Sequence, residues 1–241
     1  MPLDMDIHGA QARFEQYVKP ILGAFANAAI PTGEQITPPM LVDALRQLFA
    51  LLGTDVSTWD PSLPPDEPER VGDIAIGLLM DLATWADRLQ EHQAKVAMEL
   101  IAVSIAAWVI AQHGQILTLE PIVNGLAALA NTRGEAAALY PLAILMGQVA
   151  DAATAQFAAD LDSVDPHRPW RILLINWGIT ATRAHSPQEM TRAFQAIRHH
   201  LPADARAFFA EGRQQVEQGD FPDAVRAVMI QAADAIEHSL H

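Results

Sequence analysis

The sequence has no cysteine and few charged residues, and both shortages limit what the chain can do. Without cysteine there are no disulfides, no thiolate nucleophiles and no cysteine-ligated zinc sites. Charged residues make up 18% of the chain and hydrophobic residues 51%. This composition is too apolar for a disordered chain and favours closely packed helices. At 241 residues the chain can form one large domain or two small ones.

Positive charge is also scarce, with 15 basic against 29 acidic side chains and a net charge of −14. This charge repels phosphate backbones and anionic lipids, so we expect neither nucleic acid nor a membrane as partner. The apolar stretch 100–111 is too short to span a bilayer. The first twenty residues include the acidic residues Asp4, Asp6 and Glu15, whereas an export signal would begin with basic residues and continue with an apolar run. We therefore expect a cytoplasmic protein.

The hydrophobic pattern predicts an all-α fold of about ten antiparallel helices joined mostly by short turns. No segment alternates with a period of two for long enough to form a strand. Thr37 and Pro38 predict the start of a helix that ends at Gly53, and Ser186–Glu189 combines a capping box with proline in the first turn. Residues 93–112 are apolar almost all round and predict the central core helix.

Other signals carry further expectations about single helices. Pro20 predicts a kink or a late start in the opening helix. The spacing of Thr132 and Glu135 predicts a capping box and a helix start at that point. An apolar stripe from Val71 to Leu89, which includes Ile74, predicts the buried face of another helix.

The division into domains is predicted from the distribution of proline. Residues 1–53 are expected to form an N-terminal helical hairpin, 54–70 a proline-rich acidic linker or loop, and 71–241 the main helical domain. Whether the hairpin packs on the main domain is left open. Trp59 has two interpretations: it belongs to a solvated link, or it anchors a partner or packs the loop onto a groove.

A 34-residue recurrence marks the end of the chain. Gly178 and Gly212 lie 34 residues apart, within helical patterns that cover 171–201 and 205–235. Residues 171–238 resemble two tetratricopeptide repeats, whose pattern is W-x2-L-G-x2-Y…A-x3-F…P. The matching residues are Gly178, Phe194 and Pro202 in one copy and Phe208, Gly212 and Ala224 in the other. The departures are Ala181 and Gln215 at the tyrosine position, Met190 at a small-residue position and Ile236 at the closing proline.

The resemblance implies stacked helix hairpins with a groove lined by the first helix of each hairpin. The matching groove positions are Ile175, Ile179, Arg183, Arg206, Phe209 and Arg213. An apolar floor edged with arginine is suited to a peptide and its carboxylate, because guanidinium binds that group through two parallel hydrogen bonds. In the alternative interpretation the arginines are solvated and Phe209 belongs to the core.

Candidate catalytic and metal sites in the sequence are few. The pairs His199–His200 and His238/His241 supply too few ligands for a metal, so we expect no metal and no cofactor. Phosphate-binding loops, serine elbows and zinc-protease motifs are absent from the sequence. Glu99, within the most apolar helix, would act as an acid or base if buried, but would otherwise pair with Lys95 one turn before it.

Together these patterns favour a non-enzymatic helical-repeat protein that binds a protein or peptide as a scaffold, adaptor or chaperone. One alternative is a helical protein that binds an apolar small molecule between its helices. Another is an enzyme that uses Glu99. The sequence leaves open whether two copies pair as a homodimer.

Overall fold

The computed structural model of the chain describes residues 5–28, 36–157 and 167–238. Ten α-helices and no strand occur in these ranges, which confirms the all-α class. The helices before residue 132 are α1 (Ile7–Asn27), α2 (Pro38–Leu52), α3 (Glu67–Arg88), α4 (His92–Ala111) and α5 (Glu120–Asn131). They are followed by α6 (Ala136–Phe157), α7 (Pro169–Arg183), α8 (Pro187–His200), α9 (Pro202–Gln218) and α10 (Asp223–His238).

The chain forms two compact units, the first ending at residue 129 and the second beginning at residue 130. In the first unit α1 packs on α2 and α4, and α3 packs on α2 and α4. The centre of this unit is α4, in which every side chain from Ile101 to Ala106 is fully buried. The helix that the sequence predicts as the core is therefore the core of the first unit.

The acidic stretch 54–70, which the sequence predicts as a linker or loop, leads from the end of α2 into α3, and both helices belong to the first unit. Its last four residues belong to α3, which begins at Glu67 with Pro68 in its first turn. Proline is accepted there because the first amide groups of a helix have no partner within the helix. The α1–α2 pair packs on the helices that follow it in the sequence.

Two helix starts lie where the sequence predicts them. α2 begins at Pro38, directly after Thr37, and ends before Gly53. α8 begins at Pro187, and the Ser186 hydroxyl accepts a hydrogen bond from the Glu189 amide at 3.3 Å. A proline in the first turn therefore marks both starts, and a side-chain cap accompanies it at Ser186 but not at Thr37, whose hydroxyl makes no capping hydrogen bond.

At Pro20 the opening helix does not start late. α1 runs without interruption through Pro20 and begins at Ile7, after a cap in which Asp6 accepts from the Gly9 amide at 2.8 Å. Both Pro20 and Gln16, whose carbonyl loses its helical donor, are exposed, so water can satisfy that carbonyl.

One further prediction is wrong near α6, and one is wrong at a single residue of α3. α6 begins at Ala136, so the predicted start at Thr132 is several residues early. Of the predicted stripe on α3, Val71, Leu82 and Trp85 are buried, whereas Ile74 is 54% exposed. α3 packs on both α2 and α4, and its buried face is wider than the stripe, since it also includes Leu79.

The second unit contains two helix pairs, α7–α8 and α9–α10, in the region of the 34-residue recurrence. α6 packs on α7 and α8, and α8 also packs on α9 and α10. A Cβ atom added at Gly178 would lie 2.9 Å from Ile197 of α8 and 2.7 Å from Phe208 of α9. One added at Gly212 would lie 2.6 Å from Met229 of α10. Each glycine therefore lies where a side chain of a neighbouring helix approaches the backbone closely.

Candidate binding groove

A cavity of about 320 Å³ lies between α7, α9 and α10 of the second unit. Its floor is apolar and consists of Ile175, Ile179, Phe208, Phe221 and Met229 together with Gly212. Its polar lining consists of Thr182, Arg183, Glu211 and Gln215. We call this cavity the α7–α9–α10 groove.

The two recurring glycines shape the floor of this groove. Gly178 lets the Phe208 ring lie against the backbone of α7, and Gly212 lets the Met229 side chain lie against the backbone of α9. Ile179, next to Gly178, is 44% exposed despite its apolar side chain. An apolar side chain that is open to solvent in a concave surface is a typical anchor point for a ligand.

Phe221 lies at one end of the groove because the turn between α9 and α10 is fixed by an arginine. Arg226 donates from Nε to the carbonyl of Phe221 and from a terminal nitrogen to the carbonyl of Gly219, both at 2.9 Å. The Phe221 ring also meets His185 edge-on, with the ring centroids 5.7 Å apart. The Arg226 side chain therefore fixes the position of Phe221 through hydrogen bonds to the backbone of the turn, and the contact with His185 adds side-chain packing.

Three of the six sequence-predicted groove residues line this cavity: Ile175, Ile179 and Arg183. Phe209 does not, because it is 1% exposed and packs edge-on against Phe194 and Phe208. The groove contains its neighbour Phe208 instead.

Ala205, Phe209 and Val216 form the buried stripe of α9. Phe208 is off this stripe, so helical spacing within α9 was a signal that could have separated the two rings. Phe221 and Met229 were also missed, since only tertiary packing brings the turn and α10 to this surface.

The predicted arginines do not assemble into a carboxylate-binding edge. Arg183 donates to the carbonyls of Ala130 at 3.2 Å and Arg133 at 2.7 Å. Arg206 is exposed and does not line the groove.

Arg213 lies outside the groove lining as well. It pairs with Glu217 at 3.0 Å and Asp234 at 2.8 Å, and these hydrogen bonds raise the pKa of its guanidinium. By contrast, the Glu211 carboxylate has no hydrogen bond or ion pair within the described part of the chain.

Trp59 packs its own loop onto the first unit. The Trp59 and Trp108 ring centroids are 6.1 Å apart, and the Trp59 indole N–H donates to the Thr54 hydroxyl at 2.9 Å. With Leu51 and Leu63, Trp59 lines a cavity of about 330 Å³ between the loop and the start of α3. The Trp59 ring is thus half-buried in the packing of this loop.

Glu99 is 7% exposed and lies where α5 crosses α4. Asn124 donates to its carboxylate at 3.2 Å, and burial raises the pKa of the Glu99 carboxyl, with the nearby charge of Lys95 acting in the opposite direction. Lys95 itself is hydrogen-bonded to Asp87 at 3.2 Å. The Glu99 carboxyl is thus held in a helix–helix contact, with an amide as its hydrogen-bond partner.

His199 and His200 are adjacent rings at the edge of a cavity of about 260 Å³. Their centroids are 4.6 Å apart, and His200 also meets Trp170 edge-on at 5.5 Å. Burial, and then the nearby His199, lower the pKa of His200. His241 lies outside the described residues, and among those that are described no three potential metal ligands cluster.

Two described helices meet the length and composition expected of a membrane span, α4 and the segment Ala136–Ala153 of α6. The apolar stretch 100–111 lies within the 20 residues of α4, so the predicted exclusion by length fails. Of these two spans, 61% and 50% are buried inside the structure, as in the core helices of globular proteins.

Comparison with known proteins finds no match to this chain: no protein-family model, no curated protein and no solved structure. The α7–α9–α10 groove is the described cavity with the most extensive apolar lining.

Proposed function

We propose that the chain is a non-enzymatic helical-hairpin protein that binds an amphipathic helix of a partner protein in the α7–α9–α10 groove. The observation that carries this proposal is the open apolar floor, in which Ile179 remains 44% exposed. Amphipathic helices bind such surfaces by inserting apolar side chains at positions i, i+3 or i+4 and i+7. A scaffold, adaptor or chaperone role follows from this mode of binding.

The finer points of the proposal come from the sequence. The hairpins α7–α8 and α9–α10 stack in the manner of tetratricopeptide repeats, and the close helix approaches at Gly178 and Gly212 support this. The protein acts in the cytoplasm without a cofactor, a metal, nucleic acid or a membrane, as the acidic composition suggests.

A binding role fits the groove better than catalysis does. Of the polar groups that line it, Arg183 donates to backbone carbonyls, the Thr182 hydroxyl donates to the Gly178 carbonyl, and neither is hydrogen-bonded to Glu211. General acid–base catalysis needs a proton donor and acceptor within hydrogen-bond reach of the reacting group. Glu99, the other candidate acid, takes part in the contact between α4 and α5.

The test uses a fluorescent, neutral amphipathic peptide of leucine, alanine and glutamine, about 18 residues long so that it can form a helix. Fluorescence anisotropy measures its dissociation constant for the wild type, for Ile179→Asp and for Ile74→Asp. Ile74 is the matched control, because it is 54% exposed and lies on α3 of the first unit.

We expect Ile179→Asp to weaken binding by about tenfold or more, since an apolar contact of about 1.5–3 kcal/mol is lost. Ile74→Asp should bind like the wild type. If both variants bind the peptide equally tightly, the α7–α9–α10 groove is not the binding site.

One observation supports a second candidate function, the binding of an apolar small molecule. The groove volume of about 320 Å³ lies at the lower end of the range of about 300–1,000 Å³ that is common for ligand pockets. Native mass spectrometry of the purified protein distinguishes the two functions. If the wild type carries an additional mass that Ile179→Asp lacks, the result would favour binding of a small molecule. If the measured mass equals that of the chain alone, it would favour binding of a partner helix.

A further inference from the structure

We propose that the helix bound in the α7–α9–α10 groove is basic, with a lysine or arginine beside its apolar face that pairs with Glu211. This inference rests on the proposed function and specifies the chemistry of the partner. It reverses the sequence-based expectation that arginines in the groove hold a carboxylate.

Two arginines near the groove, Arg183 and Arg213, are already engaged. Of the described residues that line the groove, only Arg183 is cationic, and it donates to the carbonyls of Ala130 and Arg133 near the end of α5. The carboxyl end of a helix carries partial negative charge, which stabilises a guanidinium there. Arg213 is held by two carboxylates on α9 and α10. An incoming carboxylate would therefore have to displace existing partners.

The Glu211 carboxylate in the groove has no hydrogen-bond or ion-pair partner among the residues that the structure describes. Glu211 is exposed, lines the groove directly before Gly212, and makes no ion pair or hydrogen bond within the described ranges. Gln215, one turn further along α9, lines the groove as well and is neutral. This edge of the groove therefore offers one free carboxylate and a hydrogen-bonding amide to a cation that approaches with the apolar face.

The preference for a cation comes from Glu211 and not from the net charge of the whole chain. Residues 167–238, which hold the groove, carry eight acidic and eight basic side chains, and charges further away are screened over about 10 Å at moderate salt. The contact with Glu211 would fix the register of the bound helix.

The experiment compares three peptides that share one leucine face and differ only in the flanking residues, which are lysine, glutamine or glutamate. Each is titrated against the wild type, Glu211→Gln, Glu237→Gln and Ile179→Asp by fluorescence anisotropy. Glu237 is the matched control, because it is an exposed glutamate on α10 that does not line the groove. Removing it changes the net charge by the same amount.

We expect the lysine peptide to bind the wild type most tightly and the glutamate peptide most weakly. Glu211→Gln should weaken the lysine peptide by about two- to fivefold, the size of an exposed ion pair, and should leave the glutamine peptide unchanged. Glu237→Gln should leave both unchanged. The preference for lysine should shrink as salt is raised.

Two failures can be told apart. If the glutamine and lysine peptides bind equally, or if Glu237→Gln has the same effect as Glu211→Gln, the proposal of a basic partner is wrong. If Ile179→Asp still weakens binding in that case, the groove remains the binding site. If no peptide binds, or if Ile179→Asp binds every peptide as well as the wild type does, both the groove and the basic partner are wrong.

Discussion

The close approach of α5 to α4 gives a quantitative prediction for Gly125→Ala. A Cβ atom at Gly125 would lie 2.9 Å from the Glu99 carbonyl carbon and 2.7 Å from a methyl group of Val103, and closer still to the Glu99 carbonyl oxygen. Backbone atoms cannot rotate away, so the two helices must separate. Overpacking of this kind costs about 1–3 kcal/mol. Alanine recovers about 0.5–1 kcal/mol of helix propensity, which leaves a net loss of about 1–2 kcal/mol.

Gly77→Ala is the matched control for this prediction. Gly77 is inside α3 of the same unit, and a Cβ there would meet nothing within 4 Å. The same chemical change should therefore raise the free energy of unfolding by about 0.5–1 kcal/mol. Thermal unfolding followed by circular dichroism should show Tm lowered by about 2–8 °C for Gly125→Ala and raised by about 1–4 °C for Gly77→Ala. Shifts of the same sign in both variants would refute the close contact between α4 and α5.

Three further predictions concern buried or capping side chains. The pKa of the Glu99 carboxyl is raised in the folded state, so the free energy of unfolding falls as pH rises from about 4.5 through the raised value. Urea titrations at several pH values should show this fall for the wild type and not for Glu99→Gln. If the free energies of unfolding of both proteins change with pH in the same way, the prediction is wrong. Trp59→Ala removes the packing on Trp108, so limited proteolysis should cut the loop faster than in the wild type, and unchanged cutting would show that the ring does not hold the loop. Ser186→Ala removes the acceptor for the Glu189 amide and should cost about 1 kcal/mol in chemical denaturation, whereas an unchanged midpoint would mean that the cap contributes nothing.

Local signals in the sequence predict the fold where one physical effect dominates. Thr37–Pro38 and Ser186–Pro187 mark helix starts because proline is favoured in the first turn, and at Ser186 the hydroxyl also caps the helix. The apolar residues of α4 predict burial because no face of that helix is suited to water. Pro20 shows the limit of such rules, since an exposed carbonyl can bond to water and the helix continues.

The site is predicted in part, and its missing residues have a common cause. Ile175 and Ile179 are found from the recurrence, because α7 supplies one wall of the groove. Phe208 and Phe209 are adjacent and both apolar, so the resemblance alone could not decide which ring belongs to the core. Met229 comes from another helix, and only tertiary packing places it on the floor.

The central claim is that an amphipathic helix binds in the α7–α9–α10 groove, and methyl NMR on the intact chain tests it most directly. With isoleucine and methionine methyl groups labelled, addition of the neutral leucine and glutamine peptide should shift the signals of Ile175, Ile179 and Met229, which line the groove. The signals of Ile101 and Ile105, buried in the first unit, should stay in place. Shifts at Ile101 and Ile105 with none at the groove residues would contradict the account.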